Sequence, residues 1–246
     1  MNIFLWVSIA AIFLAAGVVK GVIGLGLPTL SMALLVLWMP PAEAAALLIV
    51  PSLITNIWQI RPWSGARPVW RRIRGMQIGI CAGTWAGAWC FGAPAGAWAA
   101  IALGVVLVGY AAWGLAGRPL HVPANLERWA SPATGVLTGV VTAPTGVFVV
   151  PAVAYLQALG LSRDELVQAM GISFTTSTIA LAVSLAAQGG YSASVAGGSV
   201  AMLVPALAGM ALGQWLRLRM PVVVFRRCFF AGLGLLGAYM VLRQLA

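Results

Sequence analysis

Long apolar stretches follow one another along almost the whole chain, and short segments rich in arginine separate them. Six stretches approach the roughly 20 residues that a helix needs to cross a bilayer. They cover residues 44–60, 76–92, 97–116, 166–188, 195–216 and 228–244. The stretches 3–39 and 131–159 differ, because glycine or proline divides each into two pieces, and the pieces of the second are too short to span. The pattern predicts an all-α integral membrane protein.

The two interrupted stretches resemble each other in sequence. The first reads GVVKGVIGLGLPTLSM from Gly17, and the second reads GVLTGVVTAPTGVFVV from Gly135. Each continues through a short turn that contains an acidic residue into a long helix. This predicts two pseudo-symmetric repeats, each a broken or re-entrant helical hairpin plus three transmembrane helices. The first repeat covers residues 1–116, a linker loop covers 117–130, and the second repeat covers 131–246.

The distribution of arginine along the chain distinguishes between two possible topologies. If each interrupted stretch crosses the membrane once, the chain has eight spans, with eight arginines inside and five outside. If each stretch returns as a hairpin, the loops 61–75, 117–129, 160–165 and 217–227 share one side, and only Arg243 lies opposite, which gives twelve against one. The positive-inside rule favours the hairpins. It predicts inverted repeats with both termini outside.

Composition excludes several other classes of protein. With 62% hydrophobic and 7% charged residues, the chain has too little charge to cover the surface of a soluble domain. The net charge of +10 comes from arginines in short loops, which is a topology signal and not the single basic face of a nucleic-acid-binding protein. The arginines of segment 61–75 also suit anionic lipid headgroups, although orientation alone explains them.

Chemistry that needs a metal or a bound cofactor has no support in the sequence. The single histidine lies in a loop and the three cysteines have no motif spacing, so neither a metal site nor a cofactor is expected. No nucleotide-binding motif is present, so direct use of ATP is not expected. The expected partners are a small anionic substrate and the lipid bilayer, without nucleic acid, and a homodimer is left open.

Both interruptions predict a site for an anion at membrane depth. Proline is favoured at the first position of a helix, so each break is expected to open the N-terminus of a half-helix, with free N–H donors and a partial positive charge. Irregular backbone is tolerated at that depth where it lines a cavity. The alternative is that the glycines only allow close helix packing. The residues expected to contact the anion at the breaks are Gly24, Gly26, Pro28, Thr29, Thr142, Thr145 and Gly146.

Polar side chains on the helices after the breaks extend this predicted site. Asn56 shares a helix face with Ser52 and Gln59, and Thr176 and Ser177 belong to a polar face of the later helix. Neutral donors of this kind suit a desolvated oxyanion. The alternative is that the hydroxyls bond their own backbone or hold helices together. Lys20, the only lysine, is either a charge near the anion path or a residue that snorkels to the interface.

These features resemble the sulfite exporter TauE/SafE family of bacterial membrane transporters over essentially the whole chain. The resemblance rests on the twofold repeat, on Gly24 and Gly26 closely followed by Pro28, and on the second break near Gly146 with Pro151 later. It implies a secondary transporter, and specifically an exporter, of sulfite, an organosulfonate or another sulfur-containing anion, working by alternating access. The alternative is a channel-like anion facilitator of the same fold. An enzyme is not expected, because no catalytic constellation is visible in the apolar segments.

Overall fold

A computed structural model of the chain describes residues 3–92, 94, 96–117, 120–189 and 193–245. These residues form ten α-helices and one 3₁₀ turn, Trp63–Gly65. The first half of the sequence contains α1 (Ile3–Ile23), α2 (Leu27–Leu35), α3 (Pro41–Gln59), α4 (Ala66–Phe91) and α5 (Gly96–Ala116). The second half contains α6 (Ala124–Thr145), α7 (Ala152–Ala158), α8 (Arg163–Ala187), α9 (Ala193–Arg217) and α10 (Val222–Leu245). Both halves therefore follow the same order, a long helix, a short one and three long ones.

Six of the described helices, α1, α3, α5, α8, α9 and α10, are long and apolar enough to cross a membrane. The predicted all-α membrane protein is confirmed. The first piece of the stretch 131–159 belongs to a longer helix than the sequence indicated, although that helix is not among the six candidate spans. That piece belongs to α6, which starts at Ala124 and has 22 residues, or about 33 Å at 1.5 Å per residue. The start of α6 is not visible in the sequence because its first turns are polar and resemble a loop.

The chain divides into two compact units, and each unit takes helices from both halves of the sequence. Unit 1 comprises Met1–Pro51, Ala95–Gly117 and Tyr191–Ala246, and unit 2 comprises Ser52–Pro94 and Arg118–Gly190. Unit 1 therefore holds α1, α2, the start of α3, α5, α9 and α10. Unit 2 holds the rest of α3 with α4, α6, α7 and α8. The predicted repeats 1–116 and 131–246 are sequence repeats, and this spatial division does not coincide with them.

Matching glycines bring two helix pairs into close contact, one pair in each unit. In unit 1, α1 runs parallel to α9, and a Cβ added at Gly17 or Gly21 would overlap the backbone of α9 around Met210. In unit 2, α6 runs parallel to α4, and a Cβ at Gly135 or Gly139 would overlap the backbone of α4. The glycines that match in sequence thus perform the same packing task, as small residues do at membrane helix interfaces.

Corresponding helices of the two halves run in opposite directions where one unit contains both. In unit 1, α5 and α10 are antiparallel, because Gly104 packs against Gly237 while Gly114 packs against Phe230. In unit 2, the end of α3 is antiparallel to α8, since Asn56 bonds Thr178 while Gln59 bonds the carbonyl of Val167. Opposite directions are what inverted repeats require. The inverted repeat itself stays a prediction.

In unit 2, α6 and α7 form a hairpin. The N–H of Val122, before α6, donates to the carbonyl of Ala158 at the end of α7, over 3.0 Å. Beside it, Arg72 pairs with Glu127 at 2.6 Å and donates to the carbonyl of Leu159 at 2.9 Å. The end of α7 therefore lies next to the start of α6, whereas a single crossing would place them at opposite faces of the bilayer. This is the geometry that the arginine count favoured.

All described charged side chains of unit 2 lie at one end of the unit, the end that contains the start of α6 and the end of α7. This end, called here the basic end of unit 2, comprises residues 61–74, 120–129 and 159–165, with seven arginines and three carboxylates. The opposite end, formed by residues 83–92, 145–150 and 183–189, has no charged residue. Such an asymmetry is typical of a membrane protein with its basic loops on one side. Which side that is stays a prediction.

Candidate functional site

The first break lies in unit 1 and has the form that the sequence predicted. Helix α1 ends at Ile23, and α2 begins at Leu27 with proline in its first turn. Between them, Gly24 and Gly26 have φ angles of 76° and 104°, in the left-handed region that glycine adopts without steric cost. No side chain caps α2. The break therefore opens the N-terminus of a nine-residue half-helix, an end that favours anions.

A buried hydroxyl lies in the first turn of this half-helix. The side chain of Thr29 has no exposed surface, and its Oγ1 has no hydrogen-bond partner among the described residues. The Oγ of Ser31, also in α2, is buried in the same way. Buried polar groups are almost always paired, and leaving one unpaired costs about 1–3 kcal/mol. Thr29 thus offers a donor next to an uncapped helix end.

Lys20 is placed one helical turn before the break. Its side chain is only 4% exposed, and its carbonyl accepts a 2.8 Å hydrogen bond from the N–H of Gly24. Gly26 lies against the side chain of Val19, so the start of α2 folds back beside this turn of α1. Of the charged side chains that the structure describes, Lys20 alone is buried. This burial argues against the snorkelling alternative, and an ionisable group inside the membrane is a candidate for function.

The second break lies in unit 2 and differs from the prediction. Helix α6 continues through Pro144 to Thr145, and Gly146, with φ 64°, caps its C-terminus by donating to the carbonyl of Thr142 over 2.8 Å. The prediction that proline opens the N-terminus of a half-helix at this break is therefore wrong for Pro144. The next helix, α7, begins only at Ala152. Pro144 lacks the N–H that would donate to the carbonyl four residues earlier, so it weakens the turn in which α6 ends.

The hydroxyl groups at this break are bonded to the backbone. Thr142 donates to the carbonyl of Thr138 at 2.7 Å, and Thr145 donates to the carbonyl of Val141 at 2.6 Å. The Oγ1 of Thr145 also accepts from the N–H of Val147 at 3.2 Å. These are the local bonds that threonine forms within helices. Either hydroxyl would have to rotate before it donated to an anion, so their predicted role in binding stays a prediction.

The backbone that opens at the second break was missed by the sequence analysis. Residues 147–149 have no regular secondary structure and are buried, and Phe148 packs against Phe174 of α8 with ring centroids 5.6 Å apart. Irregular backbone at membrane depth must be buried in protein or line a cavity. Pro151, two residues after this stretch and just before α7, was the only signal for it in the sequence.

The predicted site residues on α3 and α8 separate into three environments. Asn56 is fully buried and its Nδ2 donates to Oγ1 of Thr178 at 3.4 Å, so this side chain joins α3 to α8. Ser177 is fully buried, and its Oγ has no partner in the described part of the chain. Thr176 is half-buried, donates to the carbonyl of Ile172 at 3.1 Å and faces a groove beside Arg67. Thr176 and Ser177 therefore do not face the same place.

Two polar residues of α4 were also missed. Gln77 is buried and donates to Oγ of Ser173 on α8 at 3.1 Å, and Thr84 is buried without a described partner for its hydroxyl. Their spacing of seven residues puts them on one face of α4, and this was the available signal. Both residues and Ser177 are therefore buried polar groups of α4 and α8, two helices that the Gln77–Ser173 bond joins side by side.

The comparison with protein families shows to which family this chain belongs. The family model described as sulfite exporter TauE/SafE matches residues 9–240, which is nearly the whole chain. The chain belongs to the sulfite exporter TauE/SafE family. Searches of curated proteins and of solved structures found no match. TauE/SafE proteins are transporters of sulfite and related sulfur anions rather than enzymes, and the six candidate spans agree with a multi-pass membrane protein.

Proposed function

We propose that this TauE/SafE protein is a secondary transporter that exports a small sulfur-containing anion, such as sulfite or an organosulfonate, across a bacterial inner membrane by alternating access. The observation that carries the proposal is the Thr29 hydroxyl, fully buried and without a described partner in the first turn of α2. An oxyanion in front of this turn would accept a hydrogen bond from Thr29. It would also lie in the favourable field of an uncapped helix end.

The charge distribution of unit 1 supports an anion rather than a cation as the substrate. Lys20 is one turn from the break and is buried, and no carboxylate is buried among the residues that the structure describes. Gly24 and Gly26 hold the backbone of the break in the left-handed region, and the space in the direction of a Cβ at Gly26 is occupied by Val19 and Phe229. Hydrogen bonds from neutral groups, together with one positive charge, bind an anion without holding it irreversibly, which transport requires.

The coupling mechanism and the second break complete the proposal. The driving force would be an ion gradient or the gradient of the substrate itself, and the two halves of the chain would act as inverted repeats. The antiparallel pairs α5–α10 and α3–α8 support the inversion. The other residues that we propose as contacts of an anion are Asn56, Thr142, Thr145, Gly146, Thr176 and Ser177. The separate settings of Thr176 and Ser177 argue against one contact shared by both.

Transport by purified protein in liposomes tests the proposal. We expect uptake of radiolabelled sulfite that saturates with concentration and is accelerated by unlabelled sulfite trapped on the other side, because an alternating carrier returns faster when it is loaded. Empty liposomes and liposomes with the Thr29→Val variant are the controls. The absence of any sulfite or sulfonate flux above that of empty liposomes would contradict the proposed function.

The second candidate is a channel-like facilitator of the same fold. It is favoured by the absence of a carboxylate among the buried described residues, because many ion-coupled carriers use such a group to bind protons or cations. A facilitator would give flux that rises in proportion to concentration and no acceleration by trapped substrate. The liposome experiment therefore separates the two candidates.

A further inference from the structure

A groove of about 430 Å³ opens at the basic end of unit 2. Trp63, Arg67 and Trp70 line one wall, contributed by the 3₁₀ turn and the start of α4, and Thr176 lies on the opposite wall, on α8. Ile172 of α8 contributes apolar surface. The groove thus combines a cation, two indole rings and an apolar lining, all from unit 2.

The wall formed by α4 carries more positive charge than the protein neutralises. Arg67, Arg71 and Arg74 are exposed. They are three and four residues apart and therefore lie on one face of α4. None of them forms an ion pair with a described residue, whereas the neighbouring Arg72 pairs with Glu127. The first turn of α4 contains no acidic residue, so the positive end of the helix dipole adds to the arginine charge instead of opposing it. This surface therefore attracts an anion.

The residues around the groove indicate which kind of anion it binds. Trp63 and Trp70 are 56% and 50% exposed, and tryptophan that is half in contact with protein is typical of the headgroup level of a bilayer. Basic pockets between transmembrane helices bind anionic headgroups, because arginine meets the phosphate while apolar surface meets the acyl chain. A soluble anion would not need the indoles or the apolar lining, and an acidic peptide would not suit a groove at the membrane interface.

We propose that this groove binds one anionic phospholipid, with its phosphodiester at Arg67 and the start of its acyl chains against Trp63, Trp70 and Ile172. The groove has no residue in common with the first break, and binding of a lipid there does not depend on transport. Arg71 and Arg74 continue the basic face along α4 and would increase the local concentration of anionic lipid.

Native mass spectrometry of the full chain, with phosphatidylglycerol or phosphatidylcholine added to the detergent, tests the lipid site. We expect one phosphatidylglycerol to stay bound to the wild type and phosphatidylcholine to be lost. The variant Arg67→Gln should bind phosphatidylglycerol about tenfold more weakly, because a hydrogen bond between two charged groups is lost. Arg67→Lys should keep part of the affinity.

The matched control is Arg128→Gln, which removes the same charge from the same basic end but outside the groove. We expect a smaller loss than for Arg67→Gln. Equal losses in the two variants would show general attraction to the basic surface and would overturn the proposal. The melting temperature can be measured with phosphatidylglycerol and, separately, with inorganic phosphate. If phosphate alone raised it as much as phosphatidylglycerol does, the groove would be a site for a soluble anion, which would also overturn the proposal.

Discussion

Replacing Thr29 by valine is the sharpest perturbation of the candidate site. Valine has nearly the shape of threonine, so the change removes the hydroxyl and leaves the packing of the first turn of α2 in place. Because Oγ1 of Thr29 has no hydrogen-bond partner among the described residues, the substitution breaks no described contact. Any loss of binding in this variant therefore reports an interaction with the ligand.

The substitution is expected to affect the free energy of unfolding and the affinity for the anion in opposite directions. Removing an unpaired buried hydroxyl in favour of a methyl group should leave the free energy of unfolding unchanged or raise it. A hydrogen bond to a charged ligand is worth about 1.5–3 kcal/mol. Losing it should weaken anion binding by about 10- to 150-fold.

Calorimetric titration of sulfite into purified protein, paired with a melting curve, measures both quantities. The matched control is Thr138→Val, since Thr138 is also fully buried but its hydroxyl donates to the carbonyl of Thr134 at 2.8 Å. We expect Thr138→Val to retain the wild-type affinity. If Thr29→Val binds sulfite as tightly as the wild type, Thr29 does not touch the anion and the site is misplaced.

Three further predictions concern anion binding, helix packing and topology. Asn56→Leu should lower anion affinity by about 1.5–3 kcal/mol; a lower Tm with unchanged affinity would assign Asn56 to α3–α8 packing alone. Gly139→Leu should lower the Tm strongly, because its side chain would overlap the α4 backbone, while Gly109→Leu, with open space around it, should not; equal Tm values would refute the close α4–α6 contact. Cysteines placed at Ser64 and Leu218, in a background without native cysteines, should both react only from the cytoplasmic side; labelling of Leu218→Cys from outside would restore the eight-span topology.

The first break could be predicted from sequence because its signals are local. Two glycines and a proline within five residues fix positive φ angles and the start of a helix, so Gly24, Gly26 and Pro28 adopt the expected conformations. The second break could not be predicted as well, since a proline can also lie inside the last turn of a helix, where it costs one backbone hydrogen bond. Pro144 ends α6, and only the fold distinguishes this position from the start of a new helix.

The contacts between helices were beyond the sequence analysis for a different reason. Matching Gly17 with Gly135 showed that both have the same role, but not that the role is packing against α9 and α4. The partner of a small residue depends on which helices become neighbours, and that is a property of the whole fold. The polar face of α4 at Gln77 and Thr84 was missed because the surrounding apolar residues dominate the pattern.

The central claim is that the first break binds the substrate. The position of a bound anion in a crystal structure tests this claim most directly. Crystals soaked with selenite, a heavier analogue of sulfite, would show the position of selenium by anomalous scattering. We expect a selenium peak within hydrogen-bond reach of Oγ1 of Thr29, in front of the first turn of α2. A single strong peak farther from residues 24–29 than one helix diameter, about 10 Å, would contradict the account.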